Sequence, residues 1–308
     1  MRKKTLFSVK SPYRENMDII GFRFGHGEKS VCVVRAMRGN EIQQMYVCSR
    51  LVRTLKKLEA EGKIADGKEI MIVPCVNYYY MNIGKRFWTM DNTDINRMFP
   101  GYCLGETTQR IADGLFSQIQ QYSYGIQLAS FYQQGDFLPH IKLMETGFTD
   151  RGLMNGFGLR YAFVRTPRPY DTTTLNYNWQ VWETKAFSLY TNATDTVDEK
   201  SAKLAVDAII RFMAKQGVIN AKISEGYRTE ILDEKNLVQI HSPAAGFYRS
   251  FVETGDEFSK GEKLCEILDP LEGNVIGSVS APCDGIVFFR YNRPLGFENT
   301  VLYKIIQI

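Results

Sequence analysis

Two short runs of this chain could do chemistry: Arg38-Gly39-Asn40-Glu41, and Asp94-Ile95-Asn96-Arg97-Met98-Phe99-Pro100-Gly101. Arg38 and Glu41 carry opposite charges three positions apart, close enough to pair across the start of a helix. A guanidinium stays protonated and has no lone pair to give, so Arg38 suits an anion and is a poor neighbour for a metal ion, whereas Glu41 is a natural metal ligand. Arg97 offers a donor fork that matches a carboxylate with two parallel charge-assisted hydrogen bonds. The alternative for Asn96 and Arg97 is that they brace their own loop through backbone carbonyls and Asp94. Other hydrolytic chemistries lack residues: there is no Gly-x-Ser-x-Gly, and no cysteine has a convincing histidine partner. The three histidines are scattered. His26 sits in a His-Gly-Glu turn whose spacing leads to Lys29 with no helix after it, His140 follows Pro139 in a loop, and His241 lies far toward the C-terminus.

The elements that must position these residues are legible around the first run. Val31 to Arg35 reads as a buried strand that ends at Gly39, and Ile42, Met45, Tyr46, Leu55 and Leu58 follow mostly at helical spacing, with Asn40 as N-cap. The C-terminal end of a strand facing a helix N-terminus is where open α/β sheets place ligands. Upstream, the Gly25-His26-Gly27-Glu28 stretch predicts a hairpin leading into that strand. Downstream, Glu69 to Val76 predicts a second buried strand, Thr107 to Tyr122 a second helix with apolar residues at 111, 112, 115, 116 and 119, and Tyr124 to Tyr132 a further strand. This alternation supports βαβ units. From 135 to 170 glycines and prolines predict substrate-shaping loops around a short strand at Leu159 to Val164. Trp179 to Trp182 and Ala186 to Tyr190 read as strands, and Asp195 or Thr196 caps a helix that runs to about Gln216 and stops at Gly217. Past Asn220 helical periodicity ceases and short strands alternate with glycine turns. The expected division is an α/β domain over 1–220 and a β domain over 221–308.

Composition bounds the rest. A chain of 308 residues with 44% hydrophobic and 13% aromatic residues is long and apolar enough for an ordered core. Its net charge of +4, from 38 basic and 34 acidic residues, argues against nucleic acid as a partner. The basic Met-Arg-Lys-Lys start is not followed by an unbroken apolar stretch, and no run approaches a membrane helix, so a cytoplasmic protein off the membrane is expected. The six cysteines show neither C-x-x-C nor finger spacing, three of them lie in apolar segments and read as small hydrophobes, and a reducing compartment is expected.

In these residues the chain resembles the succinylglutamate desuccinylase and aspartoacylase family of zinc carboxypeptidase-like hydrolases. In that family the strand ends in His-Gly-Asp/Asn-Glu, where the histidine and glutamate bind zinc, and the matching turn here is Arg38-Gly39-Asn40-Glu41. The family's Asp-x-Asn-Arg followed by Phe-Pro-Gly is matched by Asp94 to Gly101, which implies that Asn96 and Arg97, with Arg38 beside them, hold a ligand carboxylate. A third signature, a strand ending Asp-Leu-His, falls on Gln127-Leu128-Ala129 and puts Ala129 where the last zinc ligand belongs. The general-base glutamate aligns with Tyr190, with Glu183 as the alternative. Ser242 to Phe247, Gly255 to Glu262 and Ala281 to Gly285 resemble the β-sandwich of biotinyl and lipoyl carriers, but the hairpin Asp269 to Asn274 lacks the carrier lysine.

The resemblance thus implies a mixed β-sheet flanked by helices, of zinc-carboxypeptidase type, followed by an all-β barrel-sandwich domain. It also implies a zinc site reduced to Glu41, with Arg38 pairing with Glu41 and filling the space of the ion. The expected function is a non-catalytic subunit that binds a small carboxylate or N-acyl amino acid and needs no cofactor, as a homo-oligomer or in complex with an active paralogue. The alternative is a zinc-dependent hydrolase of an amide or ester bond that recruits replacement ligands such as His140 or Glu183.

Overall fold

A computed structural model describes residues 1–11, 15–35, 37–88 and 90–308. The chain opens with strands β1 (Arg2–Val9) and β2 (Met17–Gly25), then β3 (Glu28–Arg35), helix α1 (Ile42–Ala60), β4 (Lys68–Val73), a short α2 (Tyr78–Met81), α3 (Thr107–Ile119) and β5 (Tyr124–Ala129). There follow β6 (Asp136–Phe137), β7 (His140–Met144), β8 (Tyr161–Arg165), α4 (Leu175–Val181), β9 (Lys185–Tyr190), α5 (Glu199–Lys215) and β10 (Glu230–Asp233). The remainder is all strand: β11 (Val238–His241), β12 (Gly246–Ser250), β13 (Glu257–Phe258), β14 (Lys263–Leu268), β15 (Val275–Ser280), β16 (Gly285–Arg290), β17 (Leu295–Gly296) and β18 (Val301–Gln307).

The chain forms two compact units, one of residues 1–130 and 139–232, the other of residues 131–138 and 233–308. The first is a mixed α/β unit around a nine-stranded sheet in the order β1-β2-β4-β3-β5-β9-β7-β8-β10. Its centre, β4-β3-β5-β9, is parallel, as βαβ units require, while β2 joins β4 and β7 joins β9 antiparallel. Strand β3 is covered on both faces. Val31 and Val33 pack into one core with Val47, Leu51 and Leu55 of α1 and Ile209 and Phe212 of α5. Cys32 and Val34 enter a second core with Ile111, Leu115 and Ile119 of α3 and Trp179 of α4. Each such side chain taken fully out of water contributes about 1.5–3 kcal/mol, so the two layers clamp the strand whose end carries Arg38.

Several expectations change. The Gly25 to Glu28 turn does not close a hairpin, because β4 lies between β2 and β3 in the sheet. Trp179 to Trp182 lie on and just past α4, not on a strand. Leu175 and Trp179, one helical turn apart, are both fully buried, and the indole of Trp179 donates to the Ile119 carbonyl at 3.2 Å. Helix α1 starts from Glu41, not Asn40, with no side-chain cap. Helix α5 is capped by Asp198, whose carboxylate accepts from the Ser201 N–H at 2.8 Å, not by Asp195 or Thr196.

The second unit consists of two antiparallel sheets, β11-β18-β16-β13 with β6 on β16, and β15-β14-β12-β17. A core of Leu264, Cys265, Ile267, Val287, Leu302, Tyr303 and Ile305 holds it together. The division falls after residue 232 and not after 220, since β10 belongs to the nine-stranded sheet. The excursion at 131–138, which the sequence hid as loop, supplies β6 to this unit. All six cysteines are free, and burial pushes the thiol of Cys48 up to about 12.

Candidate functional site

Arg38, just beyond the end of β3, is 8% exposed, and each of its three guanidinium nitrogens donates a hydrogen bond. Its Nε and Nη2 both donate to Asp94 Oδ2, at 3.1 and 2.7 Å. Its Nη1 donates to Ser130 Oγ at 3.2 Å and lies 3.7 Å from Glu41 Oε1. Glu41, 3% exposed, accepts a short hydrogen bond from the Ser130 hydroxyl and, at 3.2 Å, the N–H of Arg38 itself. Burial alone would work against the charge on Arg38, but the carboxylates of Asp94 and Glu41 outweigh it and hold the guanidinium protonated beyond its ordinary range. The expected pair with Glu41 exists, yet the stronger partner is Asp94.

The surrounding backbone fixes this quartet. Asp94 also caps the single turn Ile95–Arg97 by accepting from the Asn96 N–H at 3.1 Å. Arg35, fully buried at the end of β3, donates to the Pro74 carbonyl at 3.2 Å and through a short bond to the Glu41 carbonyl, tying the loop to the end of β4. Gly39 is required because a Cβ there would sit 2.4 Å from the Lys85 carbonyl oxygen and 2.6 Å from that of Tyr80.

Asn96 and Arg97 form a second cluster. The Asn96 side-chain Oδ1 accepts from Gln127 Nε2 at 3.0 Å and from the Leu175 N–H at 3.4 Å, which anchors it to β5 and to the start of α4. Arg97 donates Nη1 to the Tyr170 carbonyl, stacks over the Tyr170 ring and lies 3.6 Å from Asp171, a carboxylate 2.8 Å from Arg165. The Arg97 side chain is 36% exposed, and its Nε and Nη2 have no partner among the described residues. Arg97 therefore keeps whole nitrogens to offer a ligand, while every guanidinium nitrogen of Arg38 already donates to a neighbour.

Ala129 and Tyr190 are direct partners on neighbouring strands, at the C-terminal ends of β5 and β9. The Ala129 carbonyl accepts from Gln44 Nε2 at 3.3 Å, and its methyl offers nothing to a ligand. Tyr190 stacks on His140 at 4.9 Å, lies under the ammonium of Lys142, and is within electrostatic reach of Arg38. His140 is not in a loop: it opens β7, fully buried, opposite Tyr190. Glu183 is excluded from the site, since it sits exposed before the N-terminal end of β9, about 20 Å of extended strand from Tyr190. His26 lies at the N-terminal end of β3 and His241 in the second unit, its Nδ1 2.9 Å from the Asn299 carbonyl.

The structure thus gathers Arg38, Glu41, Ala129, Tyr190, Asn96 and Arg97 around the ends of β3, β5 and β9. Sequence reasoning missed Ser130 and Asp94 as the partners of Arg38, although Ser130 directly follows Ala129 and Asp94 opens the Asn-Arg run. These residues do not fit a catalytic zinc ion, which needs about three lone-pair donors and an open position. The carboxylates of Glu41 and Asp94 could ligate, but Arg38 already stands between them and Glu41 also accepts from Ser130. Among the described residues no group of three or more His, Cys, Asp or Glu is placed to hold a metal ion.

Residues 28–175 match the family model of the succinylglutamate desuccinylase/aspartoacylase catalytic domain. Solved structures agree over nearly the whole chain. The product-bound ectoine utilization protein EutE of Ruegeria pomeroyi superposes with a TM-score of 0.80 at 18% identity, covering 100% of this chain and 95% of that one. A succinylglutamate desuccinylase from Silicibacter sp. TM1040 gives 0.79 at 16% identity, with 98% and 92% covered. An aspartoacylase family protein from Mesorhizobium loti gives 0.78 at 19% identity, with 99% and 93% covered. No curated protein sequence matches the chain. Residues 28–175 are thus similar to the catalytic domain of the succinylglutamate desuccinylase/aspartoacylase family, and the chain shares the fold of these structures. No helix among the described residues is long and apolar enough to cross a membrane.

Proposed function

We propose that this protein is a non-catalytic member of its family that binds a small carboxylate or N-acyl amino acid without a metal ion. The observation that carries the reading is the enclosure of Arg38: a permanent cation stands at a zinc-ligand position of the family, held by Asp94, Ser130 and Glu41. Ala129 removes a second ligand, and Tyr190 replaces the carboxylate that would activate water. Ligand recognition then falls to the spare donors of Arg97, with Asn96 shaping the loop, while Arg38 changes from ligand contact to internal counter-ion. Under this reading the first unit keeps the zinc-carboxypeptidase-type scaffold, the second is a barrel-sandwich without the carrier lysine, and the protein works in the cytoplasm, alone or beside an active paralogue.

One observation favours the metal-dependent alternative: His140 lies buried against Tyr190, close to the family's base position. Thermal unfolding separates the two. A metal-free binder is stabilised by N-acyl amino acids in proportion to ligand concentration, loses that stabilisation in Arg97→Ala, and keeps its Tm in chelator. A fall in Tm on chelation, restored by zinc, would favour the hydrolase.

A further inference from the structure

The turn Ile95–Arg97 is three residues long, too short to hold itself, because one helical turn fixes several dihedrals for a single hydrogen bond. Its shape is therefore imposed from outside. On one side Asn96 Oδ1 accepts from Gln127 Nε2 and from the Leu175 N–H, at 3.0 and 3.4 Å. A backbone N–H can only donate, so the oxygen of that amide faces Leu175 and its Nδ2 is turned away. On the other side stands Asp94, whose two carboxylate oxygens have different partners. Oδ1 accepts from the Asn96 N–H at 3.1 Å and caps the turn, whereas Oδ2 takes both Nε and Nη2 of Arg38, at 3.1 and 2.7 Å. A capping carboxylate without a second partner can swivel about its Cβ–Cγ bond. This one is clamped by a guanidinium fork, in a pair whose side chains are only 10% and 13% exposed. Among the described residues no other hydrogen bond or ion pair joins 38–41 to 94–97.

We propose that Arg38 is a positioning residue for ligand binding: without touching the ligand, it fixes how Asn96 and Arg97 are presented, through the carboxylate of Asp94. The inference rests on the reading of Arg97 as the ligand contact and adds the device that holds it in place. The link runs from the end of β3 through the Arg38 guanidinium to Asp94, and from Asp94 into the backbone of the turn, where the Arg97 N–H donates to the Asp94 carbonyl at 2.8 Å. Arg38 is itself anchored independently of the turn, by Ser130 just past the end of β5 and by Glu41 at the start of α1. The strut thus starts from the sheet and not from the loop that it steadies. Charge matters here as well as shape, since a hydrogen bond between ionised partners is about twice as strong as a neutral one, and burial keeps water from competing for it.

Asp94→Asn separates the clamp from the cap, because asparagine keeps a side-chain oxygen for the Asn96 N–H and loses the charge that Arg38 holds. On the ligand-free protein, hydrogen exchange followed by NMR should show the amides of Asn96, Arg97 and Met98 exchanging about tenfold faster, while those of β3 and β5 keep their rates. Isothermal titration with N-acetylglycine, which carries one carboxylate and one acyl group, should give a Kd about tenfold higher than that of the wild type. Arg38→Lys keeps the cation but not the fork, and should move both readouts in the same direction by less. Turn amides that keep their wild-type rates in both variants would overturn the proposal, as would a Kd that Asp94→Asn leaves unchanged. So would an acceleration shared equally by β3 and β5, which marks a general loss of stability. A wild type that does not bind N-acetylglycine, but whose turn amides respond to Asp94→Asn as described, supports the clamp and counts against the carboxylate reading alone.

Discussion

Under the proposed function, the Arg38 side chain stands where the family places an imidazole and the ion that it binds. A dication drawn toward Glu41 would meet a guanidinium that no accessible pH deprotonates. The buried carboxylate of Glu41 and the partly buried one of Asp94 would both lose their counter-ion if that guanidinium were removed, and leaving a buried charge unpaired typically costs about 3–5 kcal/mol. A route to metal binding is therefore to exchange the guanidinium for a ligand, not to delete it. Arg38→His combined with Ala129→His places two imidazoles beside Glu41 and should raise zinc content from a trace to near one ion per chain, as read by isothermal titration and elemental analysis. Failure of the double variant to bind zinc would mean that the loop no longer presents Glu41 as a ligand. Much of this site was legible in the sequence, because Arg38, Glu41 and Ala129 sit at strand ends fixed by their local pattern. Asp94 and Ser130 were not, since their contacts with Arg38 span 56 and 92 positions of chain and exist only once the sheet has formed. Glu183 was misplaced for a related reason: its type suited a base, but nothing local says which end of β9 it occupies.

Among the elements, the strands of the parallel centre were the easiest to read, since four consecutive buried β-formers leave little choice. Helix α4 was the hardest. Its aromatic residues and short length mimic a strand, and only the burial of Leu175 and Trp179 on one face against α3 decides the matter. The cap of α5 was misread by a few positions because Asp195, Thr196 and Asp198 are all acceptable caps, and tertiary packing picks the last. Burial raises the Asp198 carboxyl, but hydrogen bonds from Ser201 and Asn192, with the charge of Lys200, outweigh it and hold the group below its ordinary range. A carboxyl depressed in the folded state adds stability above its unfolded pKa of about 3.9 and loses it as pH falls through the folded value. Asp198→Ala should therefore cost about 1 kcal/mol at neutral pH, and the gap to wild type should close in urea titrations carried out below about pH 4. A gap that stays constant down to acid pH would show that the side chain acts by packing and not by charge.

At the scale of the whole chain the sequence disclosed the change of character near residue 220 but not the strand that 131–138 contributes to the second unit. Two residues of strand between turn signals carry no periodicity to detect. Phe137, 2% exposed, stacks on Phe131 and packs against Phe288 and Phe289, while Asp136 pairs with Arg290 at 3.0 Å. Removing such a ring leaves a cavity that nothing nearby fills, so Phe137→Ala should cost about 3–5 kcal/mol in chemical denaturation. The loss should appear in the fluorescence or amide signals of the β unit, and a loss confined to the α/β unit would show that the segment matters only to its own neighbours in sequence.

That loan of a strand has a consequence for descent. A gene cut at codon 233 would transplant the tail without one of its staves, and the recipient would inherit a wall with a gap. Exchanges among relatives should thus be tolerated when they carry both pieces together or neither, and the two halves of this protein are bound to drift through time as a single heirloom.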